Sequence, residues 1–271
     1  MSAVKLVQAG KLDDALQALQ NEVRRSPAEA SHRVFLFQLL AVMGRWDRAL
    51  TQLNVAADLD PAALTMAQAY RETLQCEALR EQIFSGNRSP LIFGEPEGWI
   101  AQVVEALRLD AAGDLAGAAA MRAKAFDQAP ATSGAINGEQ FEWIADADSR
   151  LGPLLELVMN GRYYWVPFSC IQRIRAEAPA DLRDTVWMPV SVMWSNGGEA
   201  VGFIPTRYPG TVASTDGALL LARRTDWVDV GADTWRGIGQ RMLATSDGDY
   251  ALLDLRSVEL DTAPPVDGTE A

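Results

Sequence analysis

The residues with the most chemical potential sit close together in the second half of the chain. Trp143, Asp146, Asp148 and Arg150 form a W-x-x-D-x-D-x-R string, flanked by Glu142 and Glu156. Carboxylates grouped in this way could hold a hard cation such as magnesium, which takes oxygen ligands. They could also divide into acid and base for hydrolysis, with Asp146, Asp148 and Glu156 as the working trio. The same spacing has a plainer reading. On a helix, Asp146 and Arg150 lie four apart and make an ordinary stabilising pair. Other chemistries are excluded. Cys76 and Cys170 are too far apart in sequence for a C-x-x-C pair, and His32 is the one histidine, so a histidine-rich zinc site cannot be built. There is no G-x-S-x-G, and no histidine follows residue 32 to act as a base. The Gly237-Ile238-Gly239-Gln240-Arg241 stretch lacks both the third glycine and the lysine of phosphate-binding loops.

A second set of residues suits binding. In Tyr163-Tyr164-Trp165, strand alternation puts Tyr163 and Trp165 on one face and Tyr164 on the other. Such a face is either core or an aromatic platform for a docked helix. Arg183, Asp184 and Trp187, then Arg224, Asp226 and Trp227, repeat an arginine–aspartate–tryptophan theme. This is either a recognition surface or a set of ion pairs that keep short strands in register.

The elements that must carry these residues change grammar along the chain. Gly10, Asp13, Ala15, Leu16, Leu19 and Pro27 recur as Gly44, Asp47, Ala49, Leu50, Leu53 and Pro61, each 34 residues on. That is the period of the tetratricopeptide repeat, a pair of antiparallel helices. Glycine starts the turn, alanine lets helices approach, the leucines continue an apolar stripe, and proline ends the unit. A third copy occupies 112–130, a single helix is expected over 64–84, a loop over 86–98, and a partner helix over 99–111. Residues 1–130 therefore read as helical hairpins, and the glycine- and proline-containing stretch 127–139 reads as the boundary.

Beyond it, residues 140–161 are expected to form a helix interrupted at Gly152-Pro153, and 168–179 a second helix ending at Pro179. Strand-like runs fall at 163–168, 185–194, 200–206, 217–230 and 250–260, separated by turn clusters. The fold class is thus α+β: TPR-like helical hairpins over 1–130, then a small α+β domain with antiparallel strands over 131–261. The tail 262–271 has no periodicity and is expected to be disordered.

Composition bounds the function. The chain has 271 residues, of which 48% are hydrophobic, and a formal net charge of −12. Acidic residues outnumber basic ones 16 to 13 in 1–130 and 20 to 11 in 131–271, and the latter stretch has no lysine. Phosphate backbones repel such a chain, which argues against nucleic acid as a partner. No apolar run reaches the roughly 18–20 residues of a membrane span. The acidic start lacks the apolar core of a secretory signal, so a cytoplasmic location is expected.

The stretch WIADADSRLGPLLELVMNGRYYWVPFSCIQRI (143–174) resembles the ImpE/TagJ family, accessory proteins of bacterial type VI secretion. LRDTVWMPV (182–190), FIPTRYPGT (203–211), LARRTDW (221–227) and GIGQRML (237–243) match in order, and the family also places a repeat-like helical half in front. The resemblance implies a non-enzymatic adaptor with no cofactor. It implies binding of a helix of the small contractile-sheath subunit, and a direct or indirect link to ClpV, the ATPase that disassembles the sheath. For that contact the expected anchors are Trp143, Tyr163, Trp165 and Trp187, with Arg183 and Asp226 as polar partners. Two rivals stay open: the carboxylate-based, metal-dependent hydrolase of Asp146, Asp148 and Glu156, and a peptide-binding helical groove that the second half merely caps.

Overall fold

Gly10 (φ 72°) and Gly44 (φ 67°) occupy left-handed backbone between consecutive helices, the conformation that L-residues resist and glycine does not. The computed structural model describes residues 2–95 and 97–262; of the expected disordered tail, 263–271 lie outside the described residues. Seven helices fill the first half: α1 (Ala3–Gln8), α2 (Leu12–Arg25), α3 (Ala30–Val42), α4 (Trp46–Leu59), α5 (Leu64–Phe84), α6 (Gly98–Ala111) and α7 (Leu115–Gln128). Ala15, Ala49 and Ala118, the equivalent positions of the three repeat copies, are all fully enclosed. Their size permits the close approach of neighbouring helices.

The second half holds β2 (Gly134–Ile136), β3 (Glu139–Phe141), β4 (Ile144–Asp146), β5 (Leu154–Met159), β6 (Arg162–Pro167), β7 (Ile171–Ala176), β8 (Trp187–Trp194) and β9 (Glu199–Pro205). The short α8 (Gly217–Leu220) follows, then β10 (Thr225–Asp229), β11 (Trp235–Gly239), β12 (Met242–Thr245), β13 (Asp249–Ala251) and β14 (Ser257–Leu260). A two-residue strand, β1 (Leu91–Ile92), lies between α5 and α6. The main sheet has nine strands in the order β1-β6-β5-β9-β8-β7-β14-β2-β3. Its pairs are antiparallel except β1 with β6. A three-stranded sheet, β13-β12-β4, and the β10–β11 ribbon complete the architecture, which is α+β.

The helix expected over 140–161 is instead β3, β4, a turn and β5. All six residues of β5 are buried, and a strand covered on both faces reads as a continuous apolar run, which periodicity cannot separate from a buried helix. The Asp146–Arg150 helical pair therefore does not form. The helix expected over 168–179 is a single 3-10 turn followed by β7. A register shift between Ile171 and Arg173 lets both Ile171 and Ile174 point inward. This bulge gives a strand the three-residue apolar spacing of a helix. Of the run 217–230, the first four residues are α8 and only 225–229 are strand.

Three buried clusters hold the chain together, and two draw on both halves. One packs α1–α5 around Val186, Trp187, Leu220 and Leu221. Another lies within the sheets. The third joins Ile83, Trp99, Ile100, Val103 and Leu107 of α5 and α6 to Leu154, Val158, Tyr163 and Trp165 of β5 and β6.

Candidate functional site

The three carboxylates are enclosed, and arginines occupy them. Glu156, on β5, accepts from Arg80 Nε of α5 at 2.5 Å and from Arg80 Nη2 at 2.9 Å, and also from Arg241 and the Tyr163 hydroxyl. Asp146 accepts from Arg241 and from the Asp148 backbone N–H. Asp148 accepts two bonds from the Arg150 guanidinium, at 2.8 and 2.6 Å, and one from the Gly237 N–H at 3.0 Å. Burial opposes ionisation of Glu156, but Arg80 and Arg241 outweigh it and hold its pKa down at about 2. Burial pushes Asp146 up to about 7 against the pull of Arg241, with Asp148 adding to the rise. Asp146 and Glu156 share Arg241, while Asp148 is turned to Arg150. The trio thus presents no common oxygen-lined face to a cation, and among the described residues no group of three or more His, Cys, Asp or Glu is placed to hold a metal ion. The arrangement cross-links α5 to the sheet.

The six residues expected to contact a partner do not form one site. Tyr163, Trp165 and Trp187 have no exposed surface. Trp165 Nε1 donates to the Tyr163 hydroxyl at 2.8 Å, and Trp187 Nε1 donates to Glu77 of α5 at 2.8 Å. These three are core side chains whose polar tips are satisfied internally, so burial takes them away from any partner surface. Alternation on β6 holds: Tyr163 and Trp165 face inward and Tyr164 is half-buried. Trp143 is 41% exposed in the connection between β3 and β4. Asp226 is exposed and paired with Arg224 at 2.9 Å.

Arg183 stands apart, because it lines a groove of about 1010 Å³. Residues of α5, of β8 and β9, of the β5–β6 turn and of the β7–β8 connection line the groove. Its apolar lining includes Tyr70, Met159, Met188, Pro189, Val201 and Phe203. Val201 is 77% exposed and Phe203 is half-buried, while Tyr70, Met159 and Met188 are buried. Charged side chains rim it: Glu72, Glu177 and Asp181 with Arg175, Arg183 and Arg256. The β7–β8 connection is held by a capping box, in which Asp181 accepts from Arg183 N–H and Asp184 accepts from Asp181 N–H. This positions the Arg183 guanidinium 4.9 Å over the Tyr70 ring, with Asp181 3.3 Å away. Arg183 Nε and Nη1 are buried and meet no hydrogen-bond partner among the described residues. An apolar trough with a mixed-charge rim can take the apolar face of an amphipathic helix.

The sequence singled out Arg183 and missed the rest of the groove. Val201 and Phe203 are separated by one residue on a strand, a signal that only cross-strand pairing turns into a face. Pairing sets Pro189 opposite Phe203 and Ser191 opposite Val201.

The comparisons with known proteins agree with this architecture. The family profile described as ImpE protein matches residues 138–259. The type VI secretion system accessory component TagJ of Pseudomonas aeruginosa is 50% identical over 264 residues, covering 97% of this chain and 92% of the relative. The crystal structure of protein VPA1032 from Vibrio parahaemolyticus matches with a TM-score of 0.86 at 25% identity, covering 95% of this chain and 97% of that one. No helix among the described residues is long and apolar enough to cross a membrane.

Proposed function

The chain belongs to the ImpE/TagJ family of accessory proteins, and from that premise we propose that it is a non-enzymatic, cytoplasmic adaptor of a bacterial type VI secretion system. It binds a helix of the small contractile-sheath subunit and links the sheath to the ClpV disassembly ATPase. The observation that carries this reading is the 50% identity to an accessory component along 97% of the chain. The groove beside Arg183 supports it, since its apolar floor and charged rim suit an amphipathic helix. Binding there is equilibrium recognition: apolar side chains leave water on the floor, and Arg183 and its neighbours fix orientation.

Titration of the full-length protein with the purified small sheath subunit tests the reading. Saturable binding is expected. Val201→Glu places a charge on the groove floor at an exposed position, and Arg183→Ala removes the rim cation. Each is expected to weaken the complex at least tenfold, about 1.4 kcal/mol, while leaving the melting temperature nearly unchanged. Loss through Trp143→Ala or Asp226→Ala instead would move the contact out of the groove. A folded protein that captures neither the sheath subunit nor, with sheath present, the ATPase would overturn the adaptor reading.

A further inference from the structure

The β10–β11 ribbon is closed along one side and open along the other. On the inner side, Ser149 N–H donates to the Trp235 carbonyl, Trp235 N–H donates to Ser149 Oγ, and Gly237 N–H donates to Asp148. On the outer side, among the described residues, no strand pairs with β10. The register shows which backbone groups are left free. Val230 N–H donates to the Thr234 carbonyl and Gln240 N–H to the Arg224 carbonyl. With Asp226 opposite Ile238 and Val228 opposite Arg236, antiparallel alternation turns the backbone of Asp226 and Val228 toward β11 and that of Thr225, Trp227 and Asp229 outward.

Proteins usually guard such an edge with lysine, proline, a bulge or a covering loop. β10 reads Thr-Asp-Trp-Val-Asp, with no lysine or proline, so what charge guards it is acidic and repels acidic or neutral strands more than basic ones. Trp227 and Val228 are 38% and 45% exposed. The Trp227 ring is braced against Tyr208 at a centroid distance of 5.6 Å, which holds it as a platform. Trp235, opposite Asp229, shares the Trp227 face and is 46% exposed. The ribbon is also held in advance. Arg122 of α7 donates to the Thr234 hydroxyl at 2.5 Å, and Asp229 accepts from the Gly231 N–H at 2.8 Å. A preset edge loses little entropy on pairing.

Charge selects the occupant. Asp226, Asp229 and Asp233 are exposed along the ribbon, and Arg236 is turned away to Asp110 at 2.9 Å. Arg224 offsets only one end, where it pairs with Asp226 and Asp216. We propose that β10 is a docking edge for an extended segment of a partner protein that alternates basic and apolar residues, added as a third strand to the ribbon. Main-chain bonds to Thr225, Trp227 and Asp229 supply the pairing, Trp227 receives an apolar side chain, and Asp226, on the opposite face with Val228, selects lysine or arginine. A second copy of the chain is a poorer occupant. Symmetric pairing would bring the same aspartates together on two chains that each carry −12. The proposal does not rest on the groove or on the sheath.

The probe is a nine-residue peptide alternating lysine and valine, titrated into the full-length protein, with a glutamate–valine peptide as its counterpart. Saturable one-to-one binding of the lysine peptide is expected, with slowed amide exchange at Thr225, Trp227 and Asp229, and no binding of the glutamate peptide. Val228→Lys installs a lysine guard at an exposed position and is expected to weaken binding at least tenfold. Trp227→Thr, which keeps a strand-forming residue, is expected to weaken it several-fold. Titration of Val228→Lys with the small sheath subunit separates the two proposals, since that binding is expected to be unchanged. Equal binding of the peptide by both variants would overturn the docking edge. So would unchanged exchange at the three amides, or protection that needs no peptide and rises with protein concentration, which would make the edge a contact between copies.

Discussion

Glu156 has no exposed surface and is held by Arg80, Arg241 and the Tyr163 hydroxyl. Its pKa is held at about 2, below the ordinary value of 4.5. A carboxylate depressed in the folded state binds its proton less readily there than in the unfolded chain. Its stabilisation is therefore complete above about pH 4.5 and drains away as pH falls toward 2. Glu156→Gln keeps the shape but leaves two buried guanidiniums without their shared countercharge, at a cost of about 3–5 kcal/mol near pH 7. Melting temperatures of the two proteins, taken at steps from pH 7 to 2, are expected to differ most above pH 5 and to converge below it. A gap that stays constant would remove the ion pair as its source. Asp146 has the opposite sign. Burial raises its pKa to about 7, so its contribution falls as pH rises between about 4 and 7. Glu156 adds to that rise and shares Arg241 with Asp146, so Glu156→Gln also eases Asp146 ionisation and the comparison reports the coupled pair. From the sequence, these carboxylates and a catalytic cluster look alike, because the arginines that neutralise Glu156 come from positions 80 and 241, distant in the chain and adjacent only after folding.

The helical elements were readable because their information is local. The 34-residue period carries the turn glycine, the buried alanine and the closing proline within each unit, and the helix expected over 64–84 is α5 to the residue. The glycines of the repeat are not equivalent, however. A Cβ on Gly44 would lie 2.6 Å from the Val212 Cβ, whereas one on Gly113 meets nothing within 4 Å. Gly113→Ala is expected to cost only the left-handed backbone penalty, about 1–2 kcal/mol. Gly44→Ala adds overpacking against the 211–213 turn and is expected to cost about 2–4 kcal/mol in total. Urea denaturation of the two variants measures the difference, and equal losses would mean that the turn yields freely. The strands of 134–176 were harder to read, although two signals were present. Asn137-Gly138 and Asn160-Gly161 each have both residues at positive φ, the geometry of a two-residue hairpin turn. They join β2 to β3 and β5 to β6, the first just before the stretch expected to be helical and the second at its end. The apolar density of β5 and the bulge in β7 hid the two-residue period that would have exposed the error.

The whole molecule is stitched across the boundary near residue 130. Arg80 of α5 reaches Glu156 of β5, Trp187 of β8 reaches Glu77 of α5, and β1 adds a strand from the helical half to the main sheet. Arg207 donates to the carbonyls of Val42 at 2.7 Å and Leu220 at 2.6 Å, closing the C-terminal ends of α3 and α8 together. Burial lowers the Arg207 pKa to about 10, still high enough for the cation to persist at neutral pH. Either half alone would expose buried apolar surface and strand charged groups without partners, each costing several kcal/mol. The full chain is therefore expected to unfold in one calorimetric transition, and fragments 1–130 and 131–262 to lack cooperative melting. Two separated transitions would show that the shared clusters contribute little. The groove lies on this seam, lined by residues of α5 and of β8 and β9, so occupancy acts on both halves at once. A helix bound there at about a hundred times its Kd adds about 2.7 kcal/mol to the folded state. In a one-transition molecule that gain must appear as an upward shift of the single melting temperature. If the partner instead docked on the helical repeats alone, and these melted independently, only an early helical transition would move.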